Sequence, residues 1–237
     1  MPRAIRNFAE GEYYHVTLRR AGEEEMFLDE SDHYRGIFSL FEFNNKNPIT
    51  IQKQRRNRRS GRGSPPITLR EELVELVAFC FMPNHVHLLL TPVTEKGLSL
   101  YISKFASAYP AYFKNKYEIK RKGYFFQGRF HSVHIKNDAQ LRAVFVYIHL
   151  NPTSLIFPGW KEGERIRSRE AFKYCANYKW SSLKDYLGEK NFPSVTNRKF
   201  MSKFMGGAKG CEAEIRNWLK HKEEMFDKHE EILIEME

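Results

Sequence analysis

Two apolar runs, Leu73 to Phe81 and His85 to Thr91, flank a Pro83-Asn84 turn, and this hairpin constrains the fold more than any other stretch of the chain. Strands this apolar are buried ones, so the remaining elements have to complete a sheet and cover it. Tyr13 to Leu18, rich in aromatic and β-branched residues, reads as a first strand, and Ser132 to Ile135 supplies a short last one. Between them lie two helical patterns. Asp29-Glu30-Ser31-Asp32 opens the first, with an apolar stripe of Tyr34, Ile37, Phe38, Leu40 and Phe41, and the second runs over about 98 to 116 with Leu98, Ile102, Phe105, Tyr109 and Tyr112 at helical spacing. Strand, helix, strand, strand, helix, strand is the α+β order of a ferredoxin-like, RRM-like antiparallel sheet with helices on one face. Asp138 then opens a further helix that is appended to this plan.

The hairpin also carries chemistry. His85 and His87 are separated by one residue, so a strand sets both imidazoles on one face, a pair of metal ligands on a rigid support. If the appended helix extends through Tyr147-Ile148-His149-Leu150-Asn151-Pro152, Tyr147 and Asn151 stand one turn apart on one side. They offer a nucleophile and an amide-oxygen ligand together. A tyrosine hydroxyl, with an ordinary pKa near ~10, is a poor nucleophile at neutral pH and needs an activated target. Imidazole with amide suits Mg²⁺ or Mn²⁺, although imidazole also accepts Zn²⁺ or Co²⁺. His149 points about 200° away from Tyr147 on an ideal helix and reads as structural or surface. His15, His131 and His134 read as core or surface residues that could still approach the site.

The chain holds 39 Lys and Arg against 29 Asp and Glu, a net charge of +10, which favours polyanionic partners and makes nucleic acid the leading class. Residues 46–68 concentrate this charge: Lys53, Arg55, Arg56, Arg58, Arg59 and Arg62 occur without an acid and lead into Gly63-Ser64-Pro65-Pro66. Such a segment reads either as a phosphate-gripping arm or as a solvated, flexible insertion. In FFQGRF, Gln127 and Arg129 sit in a Gly-flanked loop suited to phosphate, while Phe125 and Phe126 read as core. Three well-separated cysteines, Cys80, Cys175 and Cys211, without a C-x-x-C pair suggest a reducing compartment. With no signal-like start and no membrane-length apolar run, a cytoplasmic, nucleoid-associated location is expected. Beyond Gly188 the chain becomes a tail, with Glu212 to Glu235 patterned as an amphipathic helix that covers the core or a partner, acidic from Glu223 onward and so able to shield a basic face.

Four segments in order, PNHVHLLL, GYFFQGRFHSVHI, VYIHLNP and YKWSSLKDYLG, resemble the single-tyrosine HUH transposases (IS200-like), and among them the branch associated with repetitive extragenic palindromes. The likeness spans roughly residues 11 to 190. It implies a catalytic domain over 1–190 and a C-terminal helical extension over 191–237. It also implies His85 and His87 as metal ligands, Tyr147 as the nucleophile, and Asn151, four residues on, as third ligand. The implied activity is metal-dependent cleavage and strand transfer of single-stranded DNA at hairpins or palindromes through a 5′-phosphotyrosine link, by a monomer or a homodimer. DNA contacts are expected from Arg129, Gln127 and the insertion's Arg55, Arg56, Arg58 and Arg59. One departure stands out: after Asn151-Pro152 the family continues with a small basic stretch, whereas this chain reads Thr153-Ser154-Leu155-Ile156. Other readings are a catalytically inactive, domesticated nucleic-acid-binding module, a replication or conjugation nickase with the same histidine pair, and a small-molecule metalloprotein, which the basic charge disfavours.

Overall fold

The computed structural model describes residues 7–22, 24–49, 70–120, 123–161 and 166–221. Its centre is a four-stranded antiparallel sheet of β1 (Tyr13–Arg19), β2 (Val74–Met82), β3 (His85–Pro92) and β4 (His131–Ile135), ordered β2-β3-β1-β4. With α1 (Glu30–Phe43) between β1 and β2 and α2 (Gly97–Lys116) between β3 and β4, this is the ferredoxin-like topology that the sequence predicts. Side-chain alternation divides β3 between two cores. Val86, Leu88 and Leu90 pack with α1 and α2, while Leu89 lies on the other face with α3 (Asp138–Leu150). In β2 a bulge between Leu76 and Ala78 reverses the parity, so Val74 and Leu76 before it and Phe79 and Phe81 after it all reach the α1–α2 core.

Local chemistry fixes the helix starts. Asp29 Oδ1 accepts from Asp32 N at 2.9 Å to cap α1, and Asn137 Oδ1 accepts from Gln140 N at 2.9 Å to cap α3, one residue before the expected opening. The α1 stripe is turned from its sequence prediction. Ile37, Leu40 and Phe43 are buried, whereas Tyr34 is exposed and Phe38 and Phe41 are only partly covered. The reason is Gly36, which faces the sheet so closely that a Cβ there would lie 2.4 Å from Phe81 Cε2. The helix approaches on its smallest residue, and its larger rings are rotated outward.

α3 is covered on its outer side by α4 (Ser168–Asn177) and by the C-terminal helix α7 (Gly207–Lys220), with the short helices α5 (Leu183–Tyr186) and α6 (Lys199–Phe204) between them in sequence. The amphipathic helix therefore begins earlier than the pattern from Glu212 suggests, and its Ile215, Trp218 and Leu219 join the core around α3. Residues 222–237, which carry the acidic stretch, lie outside the described residues. Trp180 to Ser182 closes the free edge of β2: Phe81 N donates to Trp180 O at 2.8 Å and Ser182 N to Phe79 O at 3.0 Å. All three cysteines are buried and unpaired. Among the described residues no helix is long and apolar enough to cross a membrane.

Candidate functional site

The histidine pair occupies the start of β3 on the face beneath α3. The register sets Arg19 opposite His85, Thr17 opposite His87 and His15 opposite Leu89, so β1 adds three polar side chains to the same face. His85 and His87 stand with ring centroids 4.7 Å apart. Their Nδ1 atoms are both engaged. His85 Nδ1 bonds to Asn84 Oδ1 at 2.6 Å, and His87 Nδ1 lies 2.9 Å from His15 Nε2 and 3.3 Å from Thr17 Oγ1. A carboxamide oxygen only accepts, so His85 carries its proton on Nδ1 and its lone pair on Nε2. The Nε2 of His87 is buried without a hydrogen-bond partner among the described residues. Two imidazoles thus offer their Nε2 ends, as a metal-binding pair does.

Burial keeps these rings neutral. His85 is lowered to about 3, first by burial and then by the Arg19 and Lys161 charges. His15 is also lowered to about 3, again mainly by burial, and His87 is driven well below the ordinary value by burial and by its neighbours. Neutral imidazole is the ligating form.

Across the seam, Tyr147 projects from α3 and is only 1% exposed. Its ring meets His87 edge-on at 5.8 Å and His15 at 6.4 Å between centroids. Lys161 Nζ donates to its hydroxyl at 2.8 Å. Lys161 follows a short turn, Pro158–Trp160, that is pinned by the buried Trp160. Asn151 takes α-helical φ/ψ although a proline follows it, which keeps it one turn from Tyr147; its Nδ2 donates to Tyr147 O at 2.9 Å. The amide's other end, Oδ1, is the one a cation would use.

Arg129 and Gln127 are both exposed and line a cleft of about 270 Å³ together with Thr17, Arg19 and His131. Thr17 joins this cleft to His87. Arg55, Arg56, Arg58 and Arg59 lie outside the described residues. His149 points away from Tyr147, is buried, and bonds Ser182 Oγ at 2.8 Å, a structural position. His134 pairs with Glu12. A larger groove of about 690 Å³ beside Tyr34, Phe38 and Phe192 belongs to the α1 side of the sheet, away from the histidines. Among the described residues no group of three or more His, Cys, Asp and Glu side chains is arranged to hold a metal ion. A metal here would need the Asn151 amide or ligands from outside the protein.

Three contributors escape sequence reasoning. His15 reads as core or surface, yet it touches His87; the strand pattern gives its parity but not the register that brings it opposite. Arg19 falls just past the expected strand end. Lys161 lies 14 residues after Tyr147 beyond two irregular turns, where no periodic signal exists.

Comparison with known proteins bears on this geometry. Residues 67–151 match the family model described as transposase IS200 like. No curated protein matches the chain. Among solved structures, the chain is similar to a REP-associated tyrosine transposase bound to a REP hairpin, at 16% identity and a TM-score of 0.45, covering 84% of this chain and 96% of that one. The matched segment contains His85, His87, Tyr147 and Asn151, and over residues 67–151 the chain is similar to the IS200-like transposases.

Proposed function

We propose that the protein is a metal-dependent single-stranded DNA endonuclease and strand transferase that acts at hairpin or palindromic sites with Tyr147 as its nucleophile. The observation that supports this reading is the seam itself: two neutral imidazoles, their Nδ1 atoms engaged and the His87 Nε2 left without a partner among the described residues, lie on the sheet face over which a helix lays a tyrosine held by an ammonium. His85, His87 and Asn151 would hold the divalent ion, Mg²⁺ or Mn²⁺, and the orphaned His87 Nε2 fits that role. When bound, such an ion polarises a non-bridging phosphate oxygen and stabilises the charge developing on it.

The remaining steps belong to the chain's own groups. Tyr147 Oη forms a bond to phosphorus while the bond from phosphorus to the 3′-oxygen breaks, and the phenolic proton is delivered through solvent to the departing 3′-hydroxyl. Lys161 stays an ammonium throughout and steadies negative charge on the tyrosine oxygen as it attacks. In rejoining, a 3′-hydroxyl attacks the phosphotyrosine and Tyr147 departs toward the same ammonium. The phosphoester count is unchanged, so no nucleotide cofactor is consumed. Arg129 and Gln127 grip the strand in the adjoining cleft, and the basic 46–68 segment adds phosphate contacts. Residues 1–190 act as the catalytic domain and 191–237 as its extension. A cytoplasmic, nucleoid-associated protein working as a monomer or homodimer fits this role.

The test is incubation of the protein with labelled single-stranded hairpin oligonucleotides taken from DNA flanking its gene, in Mg²⁺ or Mn²⁺. A protease-sensitive covalent adduct that is lost in Tyr147→Phe and after chelation is expected. Tight binding with no adduct across metals and hairpins refutes the enzyme and leaves a binding module.

A further inference from the structure

Tyr124 has no part in the chemistry above, yet its side chain is 92% exposed. The next two residues, Phe125 and Phe126, are 5% and 8% exposed and fill the α1–α2 core. The Arg20 guanidinium lies 3.9 Å over the Phe125 ring and donates to Phe125 O. Ala21 N donates to Phe125 O and Gln127 N to Arg19 O, both at 2.9 Å, and Lys114 Nζ donates to Gly123 O at 3.0 Å. Gly123 has a φ of +154°, a backbone form that other residues rarely adopt. The backbone is therefore tied on both sides of a ring that it holds out to solvent, so the chain entropy of presenting that ring is largely spent in folding and only its side-chain rotation is left to order.

We propose that Tyr124 is a stacking platform for an unpaired nucleobase of a single strand whose backbone runs along the Arg19–Arg129 cleft toward the histidines. The proposal rests on the reading of that centre as one that acts on single-stranded DNA. Geometry supplies the path. Thr17, which touches His87, and Ala21, which bonds the Phe125 carbonyl just past the end of β1, are four residues apart, at most about 13 Å. The cleft between them is lined by Arg19, Gln127 and Arg129. An aromatic ring followed by a cationic cleft matches a polymer with flat π-faced bases on an anionic backbone. Duplex DNA keeps those faces stacked inside. A protein partner is disfavoured by the surroundings, because Gly123, Gln127, Gly128 and Arg129 are exposed and, among the described residues of this loop, give Tyr124 no apolar neighbour at the surface.

The experiment measures binding of a fluorescent single-stranded hairpin oligonucleotide with an unpaired extension, in chelator so that no cleavage occurs. Tyr124→Ala should weaken binding by about 5- to 150-fold, the range for losing one stacked base. Tyr124→Trp should restore it. The slope of affinity against salt should be the same in Tyr124→Ala as in the parent, because stacking releases no counterions, whereas Arg129→Ala should flatten it. A Tyr124→Ala affinity within twofold of the parent overturns the proposal, as does a parent protein that binds no single strand. An adduct assay that fails while Tyr124→Ala still weakens binding removes the cleavage reading alone and leaves the platform standing. The ring is exposed, so the substitution leaves the fold intact, which circular dichroism checks.

Discussion

Lowering the pH from about 7 to about 5 should strip this fold of much of its stability, through histidines that are buried as neutral rings. His15, His85 and His149 are each lowered to about 3, with burial as the largest cause in every case, and His87 moves in the same direction. In the unfolded chain each has an ordinary pKa near ~6.5, so between about pH 6.5 and about 3 the unfolded state binds more protons and stability rises with pH. At about pH 5 the difference is roughly 1.5 pH units per histidine, or about 2 kcal/mol each and on the order of 6 kcal/mol for the three. That is comparable to the ~5–15 kcal/mol that holds a domain together. Among the shifted carboxylates, Asp29, held at about 2 chiefly by its hydrogen bond from Lys116, remains ionised there, while Glu72, raised by burial, offsets part of the loss. Urea unfolding at the two pH values, monitored by tryptophan fluorescence, measures the loss. His149→Gln should remove about a third of it. A change below about 1 kcal/mol would falsify the assignment of these rings as neutral and buried, on which the site's ligating capacity also depends.

Three further outcomes follow from particular contacts. Lys161→Met should slow single-turnover adduct formation by about 10- to 100-fold, the worth of one charge-assisted hydrogen bond, with Lys161→Arg keeping more of the rate; equal rates for all three proteins would exclude Lys161 from the reaction. His15→Phe should weaken Mn²⁺ binding by about 10- to 100-fold in calorimetry, since it removes the partner that orients His87, and an unchanged affinity would leave His15 a packing residue. Gly36→Ala should cost about 1–3 kcal/mol in guanidinium unfolding, because its methyl would arrive 2.4 Å from Phe81 Cε2; a neutral result would mean that the Phe81 ring yields freely.

Much of the architecture was legible because it is written in local patterns. The hairpin around Pro83-Asn84, the alternation of β3 and the helix start at Asp29 each depend on residues within a few positions of one another, and the pattern places the start of α3 at Asp138, one residue past its Asn137 cap. The His85–His87 pair follows from strand parity, and the Tyr147–Asn151 spacing from one helical turn. What sequence could not supply were relations set by packing between elements. The rotation of α1 depends on Gly36 meeting Phe81 across the core. The polarity of the site depends on β1–β3 register, which places His15 beside His87. Lys161 reaches Tyr147 because Trp160 buries the turn that carries it, a three-dimensional fact with no periodic trace. The β2 bulge is of the same kind: a single extra residue changed which side chains face which core.

The setting of α3 has a consequence for how strands could trade places. From Ala143 through Leu150 every residue of this helix is buried, between its own sheet on one side and α4 and α7 on the other. Withdrawing it would return those eight side chains to water; at about 1.5–3 kcal/mol for each of the large apolar ones, the cost is comparable to or larger than the stability of a whole domain. The tyrosine is thus a fixed post rather than a swinging arm. If one DNA end is to be released and another joined, it is the nucleic acid that has to shuttle past a stationary residue, and the traffic is decided by the cleft and loops around it.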